Sequence, residues 1–208
     1  QGMAHWLSME LAGHFGIAAN LDFPFPSSYV WRVFRQQYRD IPEASRFDKP
    51  ALRWRVLECL PHCLKQPGFE LLQGYLHGDQ SGLKAYQLAQ RIADIFDQYL
   101  IYRPDWLLSW EAGEAEHWQA RLWRLLTEGE GEPHRARLHQ RFMQDLQRGR
   151  IKTEGLPPRL CLFGISSLPQ TYLDVLAGLS VVTEVHLFMH NPSLAYWGDI
   201  VSEKELAR

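Results

Sequence analysis

Apolar residues Met3, Trp6, Leu7, Leu11 and Phe15 recur at three- and four-residue intervals. That spacing predicts a helix, which Gly16 stops. The short apolar run from Ile17 to Leu21 predicts one buried strand. Pro24 and Pro26 then forbid a helix and mark the exit from a first segment. Ser27 or Ser28 is expected to cap the next helix, which carries Val30, Trp31, Phe34 and Tyr38. A further helix starts near Asp48-Lys49-Pro50 and runs through Leu52, Val56, Leu57, Leu60 and Leu64, since proline is tolerated in a first turn. A short helix follows from Phe69 to Leu76. The longest helical pattern spans 83–102, with Leu88, Ile92, Ile95, Phe96, Tyr99 and Leu100 inward, and Pro104 ends it. Helices are predicted over 106–110 and 118–126, then a polar loop over 127–133, then a basic helix over 135–148.

The pattern changes after Pro157-Pro158. Arg159–Ile165 is a continuous apolar stretch, as expected of a strand buried on both faces. Ser167 is expected to cap a helix carrying Leu168, Tyr172, Leu173, Leu176 and Leu179, and a second strand is expected over 181–189. This is a βαβ pattern, so the two strands should be parallel and their crossover right-handed. The predicted fold class is α/β plus all-α. A partial sheet lobe (1–26) is interrupted by a helical insertion lobe (27–155) and resumes over 156–208. Helical patterns already under way at Gln1 and still running at Arg208 raise the expectation that the chain is a segment of a longer protein.

Charge and composition narrow the chemistry. A formal net charge of −2 argues against a general polyanion binder but leaves room for a local basic channel. The concentration of positive residues lies over 134–152, where Arg135, Arg137, Arg141, Arg148, Arg150 and Lys152 face Asp145 alone. Such a helix is either a solvated face or a phosphate contact. Eight tryptophans suit either a bulky core or a surface that stacks on bases. Asp94 and Asp97, three apart on one helix, are either a solvated pair or acceptors for base amines. Cys59 and Cys63 are four apart on a helix face, which indicates packing, and the three cysteines suit a reduced cytoplasm. No apolar run approaches the roughly 18 residues of a membrane span.

Motifs of catalysis are missing. The sequence has no Gly-x-x-x-x-Gly-Lys-Ser/Thr loop for a triphosphate, no dinucleotide glycine motif and no His-Glu-x-x-His. Ser166 follows a strand-like run but lacks the flanking glycines of a nucleophile elbow. His186 and His190 read as structural, and His134 and His139 are badly spaced for a metal. A segment without its own catalytic centre is therefore expected.

The run Asp94-Ile95-Phe96-Asp97-Gln98-Tyr99-Leu100-Ile101-Tyr102-Arg103-Pro104-Asp105-Trp106-Leu107 closely resembles the RecC family, the gamma subunits of bacterial exodeoxyribonuclease V. Gly2-Met3-Ala4-His5-Trp6-Leu7, Phe15–Asn20, Phe163–Pro169, Asn191-Pro192 and Tyr196–Ile200 carry the same resemblance. It is collinear over nearly all 208 residues, with a shortening around Gly113 to Glu116.

The resemblance implies the partial parallel-sheet lobe of an inactivated superfamily 1 helicase-like fold, interrupted by a helical lobe. It implies a non-catalytic subunit working with RecB and RecD in an ATP-dependent helicase–nuclease that processes double-strand breaks for homologous recombination. Its lobes would line a tunnel for 3′-ended single-stranded DNA and help recognise Chi. The family's DNA-binding positions fall on Phe25, Trp31, Asp94, Ile95, Asp97, Arg103, Arg135 and His5. His5 stands where the family has Gln, and Phe25 and Ile95 each stand where it has Leu. The resemblance calls for no cofactor. The rival reading is a scaffold that docks RecB and RecD without reading bases.

Overall fold

The computed structural model describes residues 2–39, 41–165 and 167–189. In chain order its elements are α1 (Gly2–Phe15), α2 (Pro26–Gln37), α3 (Lys49–Cys63), α4 (Glu70–Leu76), α5 (Leu83–Tyr102), α6 (Pro104–Glu111), α7 (Trp118–Thr127), α8 (Arg135–Gln147), β1 (Arg159–Phe163), α9 (Gln170–Leu179) and β2 (Glu184–Phe188). The chain is mostly helical, with a small parallel sheet. Among the described residues, no helix is long and apolar enough to cross a membrane.

The chain divides into two units. One comprises 1–23, 157–168 and 183–208; the other comprises 24–156 and 169–182.

In the first unit β1 and β2 pair in parallel, from Arg159 opposite Glu184 to Phe163 opposite Phe188. The expectation that the first strand is buried on both faces fails. Only Leu162 of β1 is buried, and Leu187 and Phe188 of β2 are exposed. Burial of both faces needs a packed layer on each side; among the described residues the Trp6 ring of α1 lies 5.9 Å from that of Phe163. The strand expected over 17–21 is also absent. Gly16 and Asn20 both take positive φ, which breaks an extended run, and Ile17 is 80% exposed. His190, Ser166, Asn191-Pro192 and Tyr196–Ile200 lie outside the described residues, as does Gln1.

The second unit holds α2–α9 and two cores. In the larger, α3 packs along α5, burying Leu52, Val56 and Leu60 against Ile92, Phe96 and Leu100, with Phe47 and Trp123 alongside. Phe96 meets Trp123 edge-on, 5.3 Å between centroids, a favoured aromatic geometry. The buried residues of α5 recur every three or four positions, as its sequence predicts. The smaller core joins Val30, Val33 and Phe34 of α2 to Leu138 and Phe142 of α8 and to Val175 and Leu179 of α9.

Two helix starts differ from the sequence expectation. No serine caps α2. Phe25 is its N-cap and Pro26 its first residue, because a proline's fixed φ and missing N–H suit that position. Ser27 and Ser28 consequently sit exposed in the first turn. Pro169 likewise displaces Ser167, and α9 begins at Gln170.

Candidate nucleic-acid interface

Three elements of the helical unit converge on one groove. α2 buries Val30, Val33 and Phe34, so helical periodicity turns Ser28, Trp31, Arg32 and Arg35 the other way. The N-terminus of α3 supplies Asp48. α8 spans both cores, with Ala136 in one and Leu138 and Phe142 in the other, and this holds Arg135 at the seam. The groove encloses about 360 Å³ and is lined by Trp31, Arg32, Arg35, Arg135, Glu43 and Asp48, with Ser27 and Ser28 at its edge.

Its side chains are held from several directions. The indole N–H of Trp31 donates to the Glu43 carbonyl at 2.9 Å. The Arg135 guanidinium lies 5.7 Å from the Trp31 ring centroid and 2.5 Å from an Asp48 carboxylate oxygen. The other Asp48 oxygen accepts the Ser45 backbone N–H at 2.9 Å. An indole fixed beside a guanidinium can stack on a flat base while the cation faces a phosphate or a base edge. On the far side of Trp31 and Arg135, a crevice lined by Phe34, Leu100, His139 and Tyr172 has room for about one water (20 Å³). That crevice is too small for a base. Burial holds the His139 imidazole below its ordinary pKa, against the pull of Asp174 at 3.5 Å.

Behind the groove the charges alternate. Lys49 Nζ lies 2.8 Å from Asp94. Asp97 is half-buried, and burial raises its pKa. Arg135 and Lys49 pull the other way, while Asp48 and Asp94 add to the rise. An acid with a raised pKa favours the fold when protonated. That contribution is complete below the ordinary value and is lost as pH rises through the raised one. At neutral pH the ionised form therefore weakens the fold. Asp97→Asn should raise the thermal midpoint at pH 7 by up to about 2–4 °C, the shift that 1 kcal/mol produces in a chain of this size. The gain should vanish in melts below about pH 3.8, the ordinary value for aspartate.

Of the residues singled out from sequence, Trp31 and Arg135 line the groove, and Asp94 and Asp97 stand behind it through Lys49 and Arg135. Ile95 is half-buried on α5 between the two acids. Phe25, 75% exposed, is the N-cap of α2 and not part of the groove lining. Arg103 is not brought in. It is the C-cap of α5, nine residues beyond Asp94 and so about 13 Å along the axis. Both Asp105 oxygens hold it, at 3.0 and 2.7 Å, and its guanidinium lies 3.7 Å from the Trp106 ring centroid. His5 is exposed on α1, in the other unit.

The basic helix is less basic in the fold than in the sequence. Arg135 pairs with Asp48, Arg137 with Glu111 at 2.5 Å, and Arg141 lies over the Tyr38 ring and 3.9 Å from Asp145. Arg32 and Arg35 went unnoticed in the sequence. The signal was their place on the Trp31 face, at one and four residues' remove.

A buried network fixes where Arg135 begins. The Glu111 carboxylate receives the Trp123 indole N–H at 2.8 Å, His134 Nε2 at 2.5 Å and Arg137 Nε at 2.5 Å. Burial alone would raise the Glu111 pKa, but His134, Trp123 and Arg137 together lower it. His134 is the N-cap of α8, and its Nδ1 accepts the Arg137 backbone N–H at 3.4 Å. Nε2 is thus free to donate to Glu111, and both ring nitrogens are used. Arg135 follows directly on this anchored residue.

Comparison with known proteins matches the sequence to a family. The sequence model described as RecC, N-terminal domain, matches residues 1–208. The chain is 44% identical to the RecBCD enzyme subunit RecC of Escherichia coli strain K12 over all of this chain and 20% of that protein. It is 38% identical to the subunit of the same name from Haemophilus influenzae, over 95% of this chain and 20% of that protein. The Mycolicibacterium smegmatis subunit is 27% identical over 98% of this chain and 19% of that protein. The chain thus spans about a fifth of the length of the curated relatives it matches. It belongs to the RecC N-terminal domain family.

Proposed function

We propose that the groove between α2, α3 and α8 contacts single-stranded DNA. The protein's role would be that of a non-catalytic RecC subunit, working with RecB and RecD in a helicase–nuclease that processes double-strand breaks for recombination. In that role the groove forms part of the wall of a tunnel for the 3′-ended strand and contributes to recognition of Chi. The observation that carries the reading is the pairing of Trp31 with Arg135 along an open groove of about 360 Å³. The identity of the relatives, each a RecBCD enzyme subunit, supports it. Trp31 supplies a stacking face and Arg135 a forked donor, while Asp94 and Asp97 act from behind the groove through Lys49 and Arg135.

Trp31→Ala should weaken binding of a single-stranded oligonucleotide roughly 5- to 150-fold, the equivalent of one stacked base at about 1–3 kcal/mol. Fluorescence anisotropy at low salt reads this directly. An unchanged affinity would remove Trp31 from the contact surface.

A second reading is favoured by one observation. Trp54 of α3, 55% exposed, lies 5.7 Å from the Tyr86 ring, with the Arg53 guanidinium over both rings. A surface of that kind suits a protein partner such as RecB or RecD, so the region would serve as a scaffold. On the DNA-binding reading, Trp54→Ala leaves oligonucleotide affinity unchanged in the same assay.

A further inference from the structure

We infer that Arg32 and Arg35 hold the phosphodiester backbone of a single strand along α2, so that the groove fixes which side of the strand faces the bases' readers. This rests on the DNA-binding reading of the same groove and adds to it a backbone site outside the residues already assigned.

The two arginines are three apart on α2, on the exposed face that also carries Ser28, with the half-buried Trp31 beside them. That face runs along the groove for about 10 Å, from Ser28 to Arg35, at 1.5 Å per residue. The opposite face of α2 is sealed in the smaller core, and both arginines are exposed. Both line the groove, and Ser27 and Ser28 bring two hydroxyl donors to the same edge.

The groove's carboxylates come from elsewhere. Glu43 belongs to the segment after α2, and Asp48 is the N-cap of α3. The α2 wall is therefore basic and carries Trp31, while the other side holds the Glu43 carboxylate and the Arg135–Asp48 ion pair. A single strand has the same asymmetry, with anionic diesters on one side and base edges bearing amine donors on the other. Diesters against Arg32 and Arg35 leave the bases pointing toward Trp31 and the carboxylates. The reverse orientation sets phosphates against Glu43 and Asp48, which like charge disfavours. Arg32 and Arg35 on this account position the strand and carry no sequence information.

The test uses the 208-residue chain, a 20-nucleotide oligothymidylate and an abasic phosphodiester strand of equal length. Arg32→Gln/Arg35→Gln should weaken both strands alike and lower the slope of log affinity against log salt by about 1.4, at about 0.7 per phosphate contact. Arg32→Lys/Arg35→Lys should retain most of that slope, because a point charge suffices for a phosphate. Trp31→Ala should weaken oligothymidylate and spare the abasic strand. If the chain binds DNA and the double glutamine variant keeps the full slope, the backbone site is refuted while the DNA reading stands. If oligothymidylate binds no more tightly than the abasic strand but both depend on the two arginines, the backbone site holds and stacking on Trp31 falls. Binding of neither strand overturns both.

Discussion

Glu111→Ala is expected to cost the fold about 3 kcal/mol at neutral pH, because it strands three donors around a buried site. Trp123 Nε1, His134 Nε2 and Arg137 Nε all converge on that one carboxylate. Trp123 and His134 are themselves buried, so water cannot replace the missing acceptor. In a chain of this length the loss corresponds to a fall in thermal midpoint of about 6–12 °C. The pH dependence follows from the lowered pKa of Glu111. Its stabilisation is complete above the ordinary glutamate value and is lost as pH falls through the lower folded-state value. The difference between wild type and variant should therefore be full at pH 7 and shrink in strong acid. Parallel melts at pH 7 and pH 3 check this; a gap of equal size at both would mean that the carboxylate charge is not what holds the network.

Arg135→Ala is expected to weaken binding as strongly as Trp31→Ala. The residue has three connections in the structure: the Trp31 ring, the Asp48 carboxylate and the field at Asp97. Losing one forked donor to a base or phosphate corresponds to about 1–3 kcal/mol, or roughly 5- to 150-fold in affinity for a single strand. The same substitution removes the strongest attraction holding down the Asp97 pKa, so that acid should titrate at still higher pH. Filter binding at low salt reads the first effect, and carboxyl carbon shifts of Asp97 across a pH series read the second. Weaker binding together with an upward Asp97 titration supports the cluster. Unchanged affinity would take Arg135 out of the DNA contact.

Much of the helical unit was legible in the sequence for a local reason. α5 repeats its buried residues every three or four positions, and Pro104 marks its end. A helix completes its hydrogen bonds within itself, so a local pattern suffices to find it. A strand does not. The run Ile17–Leu21 has the composition of a strand, but composition does not specify a partner, and the backbone turns at Gly16 and Asn20. β1 was found and its burial misjudged for the same reason, since exposure depends on what covers the sheet.

The helix caps show a finer limit. Serine is a good N-cap by propensity, yet Pro26 and Pro169 set the starts of α2 and α9. A proline that fixes φ outweighs a side chain that adds one hydrogen bond.

The sequence by itself determined the helical periodicity, the parallel strand pair and the family, and through the resemblance it named Trp31, Asp94, Asp97 and Arg135. The tertiary structure alone decided which charges remain at work. Glu111 answers Arg137 across 26 residues and Asp48 answers Arg135 across 87. Arg103, equally prominent in the sequence, is held away by Asp105 two residues on. Charge in a sequence is additive, whereas a site depends on distance. Only folding brings Asp48 to Arg135 and Lys49 to Asp94.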